Sequence, residues 1–266
     1  MLSYRHGFHA GNPADVFKHA VLLAVVDAMQ RKPKGISFLD THAGPALYDL
    51  EHDFARKNLE YERGIGAVWA DPPPALASYV GVVRRHNPDG TLRRYPGSSQ
   101  LLRDRLRPVD RLTLCELHPT EQKALAARFG RDRAVDVHAG DGYAALAALR
   151  PPETGRGLVL IDPPFELRSE LDDLAAALDA ALRRFGHGAY AIWYPVIDGR
   201  STTPDALPDR LGLEPDSWLD LRVRFPPDQR LGRMSGCGMA LVNPPWSARE
   251  TLAGIHACCD AASARP

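Results

Sequence analysis

LVLIDPPFE, residues 158–166, decides how this chain is read. Leu158, Val159, Leu160 and Ile161 follow one another without a polar interruption, which marks a buried strand. The chain then places Asp162-Pro163-Pro164-Phe165 at its end, a carboxylate, two stiff residues and an aromatic ring. A core strand that closes on such a cluster needs a reason, and the flanking segments supply one.

Outward from this stretch, strands and helices alternate. ISFLD (36–40), LTLCE (112–116), AVDVH (134–138) and AYAIWY (189–194) read as strands. Helical patterns precede or separate them: 14–29 with Pro13 in its first turn, a helix starting after Pro119, GDGYAALAAL after the third strand, and 171–185. LDLRVRF (219–225) alternates like a half-buried antiparallel strand, and CGMALVN (237–243) follows it with no helix between. The two are expected as a hairpin-like pair at one sheet edge. The expected fold is therefore α/β and Rossmann-like: a doubly wound, seven-stranded, mostly parallel sheet.

Residues 49–95 interrupt this rhythm. They are polar and irregular, with helical patterns around 59–69 and 75–86, and close on the turn-rich NPDG. That is long for one strand-to-strand connection. It reads as a small helical insertion, with residues 1–48 and 96–266 forming the two parts of the main domain.

Composition narrows the functional classes. The 266 residues are 44% apolar and 25% charged with zero formal net charge, an ordinary globular balance without a global basic field. Positive charge is local, as in Arg84-Arg85, Arg93-Arg94 and the set Arg222, Arg224, Arg230 and Arg233. Four cysteines without a Cys-x-x-Cys pair read as reduced thiols of a cytoplasmic protein. The opening MLSYRHGFHA has no apolar core of a signal peptide, and no apolar run is long enough to span a bilayer. The ten histidines form no metal-ligand spacing, so no metal is expected.

In doubly wound sheets ligands bind beyond the carboxyl ends of the strands. Asp40-Thr41-His42-Ala43-Gly44, Glu116, Asp141-Gly142 and the Asp162 cluster all stand there. An acid such as Glu116 can accept both hydroxyls of a ribose, or simply cap a helix. Asp141-Gly142 suits either an adenine or a helix N-cap. The THAG turn lacks a dinucleotide fingerprint, which favours a nucleoside without a pyrophosphate. The Asp162 cluster reads either as a Pro-rich loop that caps a strand or as a site for amine chemistry, and the strand order favours the chemistry. An exocyclic base amine is a poor nucleophile because its lone pair is delocalised into the ring. A carboxylate and a fixed carbonyl can each accept one of its N–H groups and draw the nitrogen toward tetrahedral geometry, while prolines stiffen the loop. The ring of Phe165 can stack on a base taken out of its stack. Asn243-Pro244-Pro245-Trp246 imitates the pattern, but it follows the last strand and carries an amide, so it is read as structural.

Asp-Pro-Pro-aromatic in this context resembles the amino-methyltransferases that use S-adenosylmethionine. MLSYRHGFHAGNPADVFKH, LDTHAG, YPGSSQL, CELHP, DGY, LIDPPFE and WYPV together resemble the bacterial 23S rRNA adenine-N6 methyltransferase family typified by RlmJ, over nearly the whole chain. The resemblance implies a class I methyltransferase that binds S-adenosylmethionine, releases S-adenosylhomocysteine, and methylates the N6 amine of one 23S rRNA adenine, as the adenine(2030)-N6 enzyme does. It implies cofactor contacts at Lys18 (to the methionine carboxylate), His19, His42, Ser98, Glu116, Asp141, Gly142 and Asp162. It makes Asp162 the amine ligand and proton acceptor, and Tyr4, Pro163 and Phe165 substrate contacts. The implied partner is 23S rRNA, free or in an early assembly particle, with the protein a cytoplasmic monomer away from membranes. Two departures stand out: Pro45-Ala46 where related chains tend to have a second glycine, and Phe165 where Tyr is frequent. The rivals are a DNA adenine-N6 methyltransferase and a non-enzymatic nucleic-acid-binding protein on the same scaffold.

Overall fold

The computed structural model describes residues 6–167 and 169–260. Tyr4 lies outside them. The strands are β1 (Ser37–Asp40), β2 (Leu47–Asp49), β3 (Arg94–Pro96), β4 (Arg111–Glu116), β5 (Val135–Ala139), β6 (Gly157–Ile161), β7 (Ala189–Ile197), β8 (Trp218–Arg224) and β9 (Met234–Val242). The helices are α1 (Pro13–Gln30), α2 (Asp53–Asn58), α3 (Glu60–Arg63), α4 (Ala77–Arg85), α5 (Ser98–Arg105), α6 (Pro119–Phe129), α7 (Gly142–Ala147), α8 (Glu170–Arg184), α9 (Leu207–Leu211) and α10 (Arg249–Cys259).

Seven strands form one sheet in the order β5-β4-β1-β6-β7-β9-β8. The first five are parallel; β9 runs antiparallel to both β7 and β8. The continuous apolar run of β6 has a direct explanation. Leu158 and Leu160 enter the core shared with α1 and α10, while Val159 and Ile161 enter the core under α8. A strand covered on both faces has no side to leave polar. Each such side chain, fully buried, contributes about 2 kcal/mol of apolar transfer.

β1 sits between β4 and β6, so the chain order reverses beside it. That reversal opens a crevice above the carboxyl ends of β1, β4 and β6. The expected edge pair is β8 and β9, with β8 outermost and Leu219 opposite Leu241. Because β9 is antiparallel, Asn243 emerges at the opposite edge from the crevice. There its amide donates to the carbonyls of Gly186 and Gly188 at 2.9 and 2.8 Å, stapling the turn before β7.

The segment after β1 leaves and returns through a two-stranded ribbon, β2 with β3, pairing Leu47 with Pro96 and Asp49 with Arg94. Between them the expected 59–69 helix is broken. Leu59 is left-handed at φ 50°, and α3 ends at Gly64. Packing dictates the break: a Cβ on Gly64 would sit 2.1 Å from the Gly11 carbonyl oxygen. Tyr79, Val80, Val82 and Val83 on α4 and nearby Ile65 join the same core as α1, so this segment shares the main apolar interior.

Candidate active site

The crevice is a cavity of about 820 Å³. Its walls come from the start of α1, the loop after β1, the ends of β4, β5 and β6, and the β7 and β9 strands. Of the residues singled out from sequence, Lys18, His19, His42, Ser98, Glu116, Asp141, Gly142, Asp162, Pro163 and Phe165 all border it.

One end is lined by Glu116, Asp141 and Gly142. Glu116 closes β4, and its two oxygens accept the backbone N–H groups of Gly44 (2.8 Å) and His118 (2.7 Å). These bonds fix the carboxylate, and each oxygen keeps a further lone pair for a hydroxyl. Asp141 caps α7 through a single oxygen, Oδ1, which accepts from the Tyr143 and Ala144 N–H groups. Cap and ligand roles are thus compatible, since Oδ2 has no hydrogen bond among the described residues. Gly142 lies so close to β1 that a Cβ would stand 2.1 Å from the Thr41 carbonyl oxygen. This close approach of two strand-end loops forms a cradle that only glycine permits. Acid, acid and glycine at successive strand ends fit a ribose and an adenine. The loop after β1 reaches its shape without the second glycine: Ala46, fully buried, adopts φ 74°. A left-handed alanine costs on the order of 1 kcal/mol or more, which the surrounding packing sustains.

Beneath this end, buried polar groups interlock. Asp40, inaccessible to solvent at the end of β1, accepts the Ser98 hydroxyl at 2.6 Å and the His42 N–H at 3.2 Å. Burial pushes its carboxyl up to about 7, the Ser98 bond opposes, and the Asp162 charge adds to the rise. Burial lowers His42 to about 4 and His19 to about 3, so both rings are neutral at neutral pH. His19 Nδ1 meets the Tyr95 hydroxyl at 2.7 Å, and Tyr95 meets Tyr79 at 2.9 Å.

The other end centres on Asp162. Lys18 Nζ lies 2.7 Å from its Oδ2 and 2.8 Å from Asp15 Oδ1. Burial opposes the ammonium charge, but Asp15 and then Asp162 outweigh it and hold Lys18 above its ordinary range. Asp15 in turn accepts from the Gly11 N–H at 2.9 Å and meets His6 Nε2 at 2.9 Å. Burial again opposes, yet His6 and Lys18 keep its carboxyl well below the usual value. Lys18, expected to face a methionine carboxylate, borders the cavity and stands between these two aspartates. Asp162 Oδ1 has no hydrogen bond among the described residues. The Phe165 ring is only 3% exposed, at φ 50°, packed edge-on to Trp193 at 6.1 Å. A base stacking on its face requires the ring to turn outward.

The opening segment acquires a physical reading here. Asn12 caps α1 by accepting the Asp15 N–H, and Pro13 follows at the first helical position. His9 and Asn12 both reach Glu60 Oε2, at 2.9 and 3.2 Å, tying α3 to the start of α1. His6 and Asp15 were not singled out from sequence, and Asp40 was placed at the strand-end rim without a role. Asp15 and Lys18 are three residues apart on one helical face, a spacing that could have revealed their pairing. Nothing local marks the Lys18–Asp162 contact, which spans 144 positions. Among the described residues no three His, Cys, Asp or Glu side chains gather as a metal site, and no helix is long and apolar enough to cross a membrane.

Comparisons with known proteins agree with this architecture. Residues 33–261 match the family described as ribosomal RNA large subunit methyltransferase D, RlmJ. The chain is 38% identical to ribosomal RNA large subunit methyltransferase J of Escherichia coli, over 96% of this chain and 91% of that protein. It is 41% identical to the protein of that name from Haemophilus influenzae, over 96% and 92%. Among solved structures, protein LPL1258 of Legionella pneumophila superposes with a TM-score of 0.80 at 34% identity, covering 92% of this chain and 90% of that one. A sheet order with a cavity at its switch point and a likeness that spans nearly the whole chain coincide: the chain belongs to the RlmJ family of ribosomal RNA large subunit methyltransferases.

Proposed function

We propose that this protein methylates the N6 amine of one adenine in 23S rRNA, using S-adenosylmethionine. The observation that carries the reading is the state of Asp162. It ends the strand beside β1 and borders the cavity; Lys18 fixes one of its oxygens, and the other has no partner among the described residues. Bound S-adenosylmethionine supplies an electrophilic methyl group on a sulfonium sulfur. The protein's task is then alignment, holding the amine nitrogen within attack distance.

Each residue has a defined part. Glu116 takes the ribose hydroxyls of the cofactor, and Asp141 and Gly142 take its adenine. His42 and Ser98 line the turn around its methionine portion. His19, neutral and held by Tyr95, borders the same side. Asp162 Oδ1 accepts one N–H of the target amine and the fixed Pro163 carbonyl accepts the other. Asp162 then receives the proton released on methyl transfer. Lys18 positions Asp162 and, with Asp15, keeps the local charge balanced. Phe165 turns outward to stack on the target base, and Tyr4 contacts the RNA.

Residues 49–95 act as an insertion subdomain carried on the methyltransferase domain, entered and left near the β2–β3 ribbon. The same reading has the protein act as a cytoplasmic monomer on 23S rRNA, free or in an early assembly particle. The deciding experiment is transfer of labelled methyl groups to naked 23S rRNA fragments with the modified base mapped. N6-methyladenosine at one site is expected. Transfer to DNA adenine in preference to rRNA, or no transfer, would overturn the reading.

A further inference from the structure

Near the outer mouth of the cavity stand arginines whose contacts among the described residues are mainly to backbone carbonyls. Leu231 and Met234 line the cavity on the segment joining β8 to β9. Their neighbours Arg230 and Arg233 are exposed. Arg233 donates to the Asp198 carbonyl at 2.9 Å. Arg230 has only a loose, exposed pairing with the Asp198 carboxylate at 3.8 Å. Arg63, on α3, donates to the carbonyls of Asp228 (3.1 Å) and Arg230 (3.5 Å). Arg200 donates to the carbonyl of Leu167 at 2.7 Å and reaches that of Glu166 at 3.4 Å, both on the loop that follows Phe165.

Carbonyl acceptors orient a guanidinium without cancelling its charge, and each arginine has five donors. For Arg63, Arg200 and Arg233 no carboxylate lies within 4.0 Å among the described residues. Glu166, Asp198 and Asp228 share the rim, and the charge of Glu60 is felt by Arg63, so this is not a bulk basic field. It is a small set of oriented cations carried by α3, the segment after β7, and the segment between β8 and β9.

We propose that Arg63, Arg200, Arg230 and Arg233 form a phosphate-binding arc that holds the backbone of the nucleotides flanking the target adenosine. The inference rests on the reading of this cavity as an RNA methyltransferase site and names the surface by which the polymer is gripped. Polymer phosphates rather than base edges are the fit, because planar guanidiniums with spare donors match phosphate oxygens bidentately. The arc also explains how a chain of zero net charge engages a polyanion.

The test is the salt dependence of RNA binding, read by fluorescence anisotropy on a labelled single-stranded 23S rRNA fragment between 50 and roughly 200 mM KCl. Each single-strand phosphate contact contributes a slope of about −0.7 in log K against log salt. Four contacts predict about a 50-fold loss of affinity over that range. Arg230→Gln with Arg233→Gln removes two and predicts about a 7-fold loss. S-adenosylhomocysteine affinity stays at the wild-type value in that variant, showing an intact cofactor end. Arg111→Gln with Arg183→Gln removes equal charge at the start of β4 and the end of α8, away from the cavity mouth, and leaves the slope unchanged. An unaltered slope in the Arg230/Arg233 variant, or an equal change in the control, overturns the arc. Failure of the wild-type protein to methylate rRNA would sink the activity reading separately, since binding slopes judge the arc without catalysis.

Discussion

Gly142→Ala offers a measurable test of the adenine cradle. Gly142 opens α7 with no positive φ, so alanine meets no backbone penalty there and is the better helix former. Any loss is therefore steric. The added Cβ would lie 2.1 Å from the Thr41 carbonyl oxygen and 2.9 Å from its carbonyl carbon and Cβ, whereas ordinary contact begins at 3.4 Å. About 1.3 Å of separation must be found between main-chain atoms of two strand-end loops, neither a flexible side-chain tip. Overpacking of this kind costs about 1–3 kcal/mol, which lowers Tm by roughly 3–9 °C in a chain of this size. The displaced loops carry His42 and Asp141, so S-adenosylhomocysteine affinity falls at least about tenfold, as expected when a site loosens by about 1 Å. Differential scanning fluorimetry and titration calorimetry read the two effects. Unchanged Tm and unchanged ligand affinity would refute the argument that this close approach shapes the site.

Two further variants probe the buried charges. Asp40→Asn should abolish a pH-dependent loss of stability. Asp40 has its folded pKa raised to about 7, so between the ordinary carboxylate value and that point the unfolded chain ionises first. Wild-type stability contributed by this group falls as pH rises through that window and levels off above it. A shift of that size is on the order of 4 kcal/mol; parallel urea-denaturation profiles from pH 4 to 8 would contradict it. Lys18→Met removes the ammonium that separates Asp15 from Asp162, leaving only His6 beside Asp15 among the described residues, and should cost about 3–5 kcal/mol. Adding Asp15→Asn should restore part of that loss, and strictly additive effects in urea denaturation would show the buried pair is not coupled.

The parts of the fold governed by local pattern were legible in the sequence. Continuous apolar runs such as Leu158–Ile161 marked strands buried on both faces, and the alternation of LDLRVRF marked the edge strand. The parts governed by tertiary contact were not. The β2–β3 ribbon has only three residues per strand, one of them Pro96, and carries no periodicity. The helical pattern at 59–69 yielded to the contact of Gly64 with Gly11. The site divides the same way. Glu116, Asp141 and Asp162 were found because strand ends are readable and ligands gather beyond them. The pairing of Lys18 with Asp162 was not, because it depends on two elements brought together only by folding. Resemblance pointed to Lys18 as a cofactor contact but carried no hint of its pairs with Asp15 and Asp162.

The most direct measurement is single-turnover methyl transfer to a 23S rRNA fragment by the Asp162→Ala variant, alongside its affinity for S-adenosylhomocysteine. The Asp15–Lys18 pair remains to hold the fold. Loss of the amine ligand and proton acceptor predicts a rate lower by about 10²–10⁴-fold with ligand affinity largely retained. Near-wild-type transfer by this variant would contradict the account.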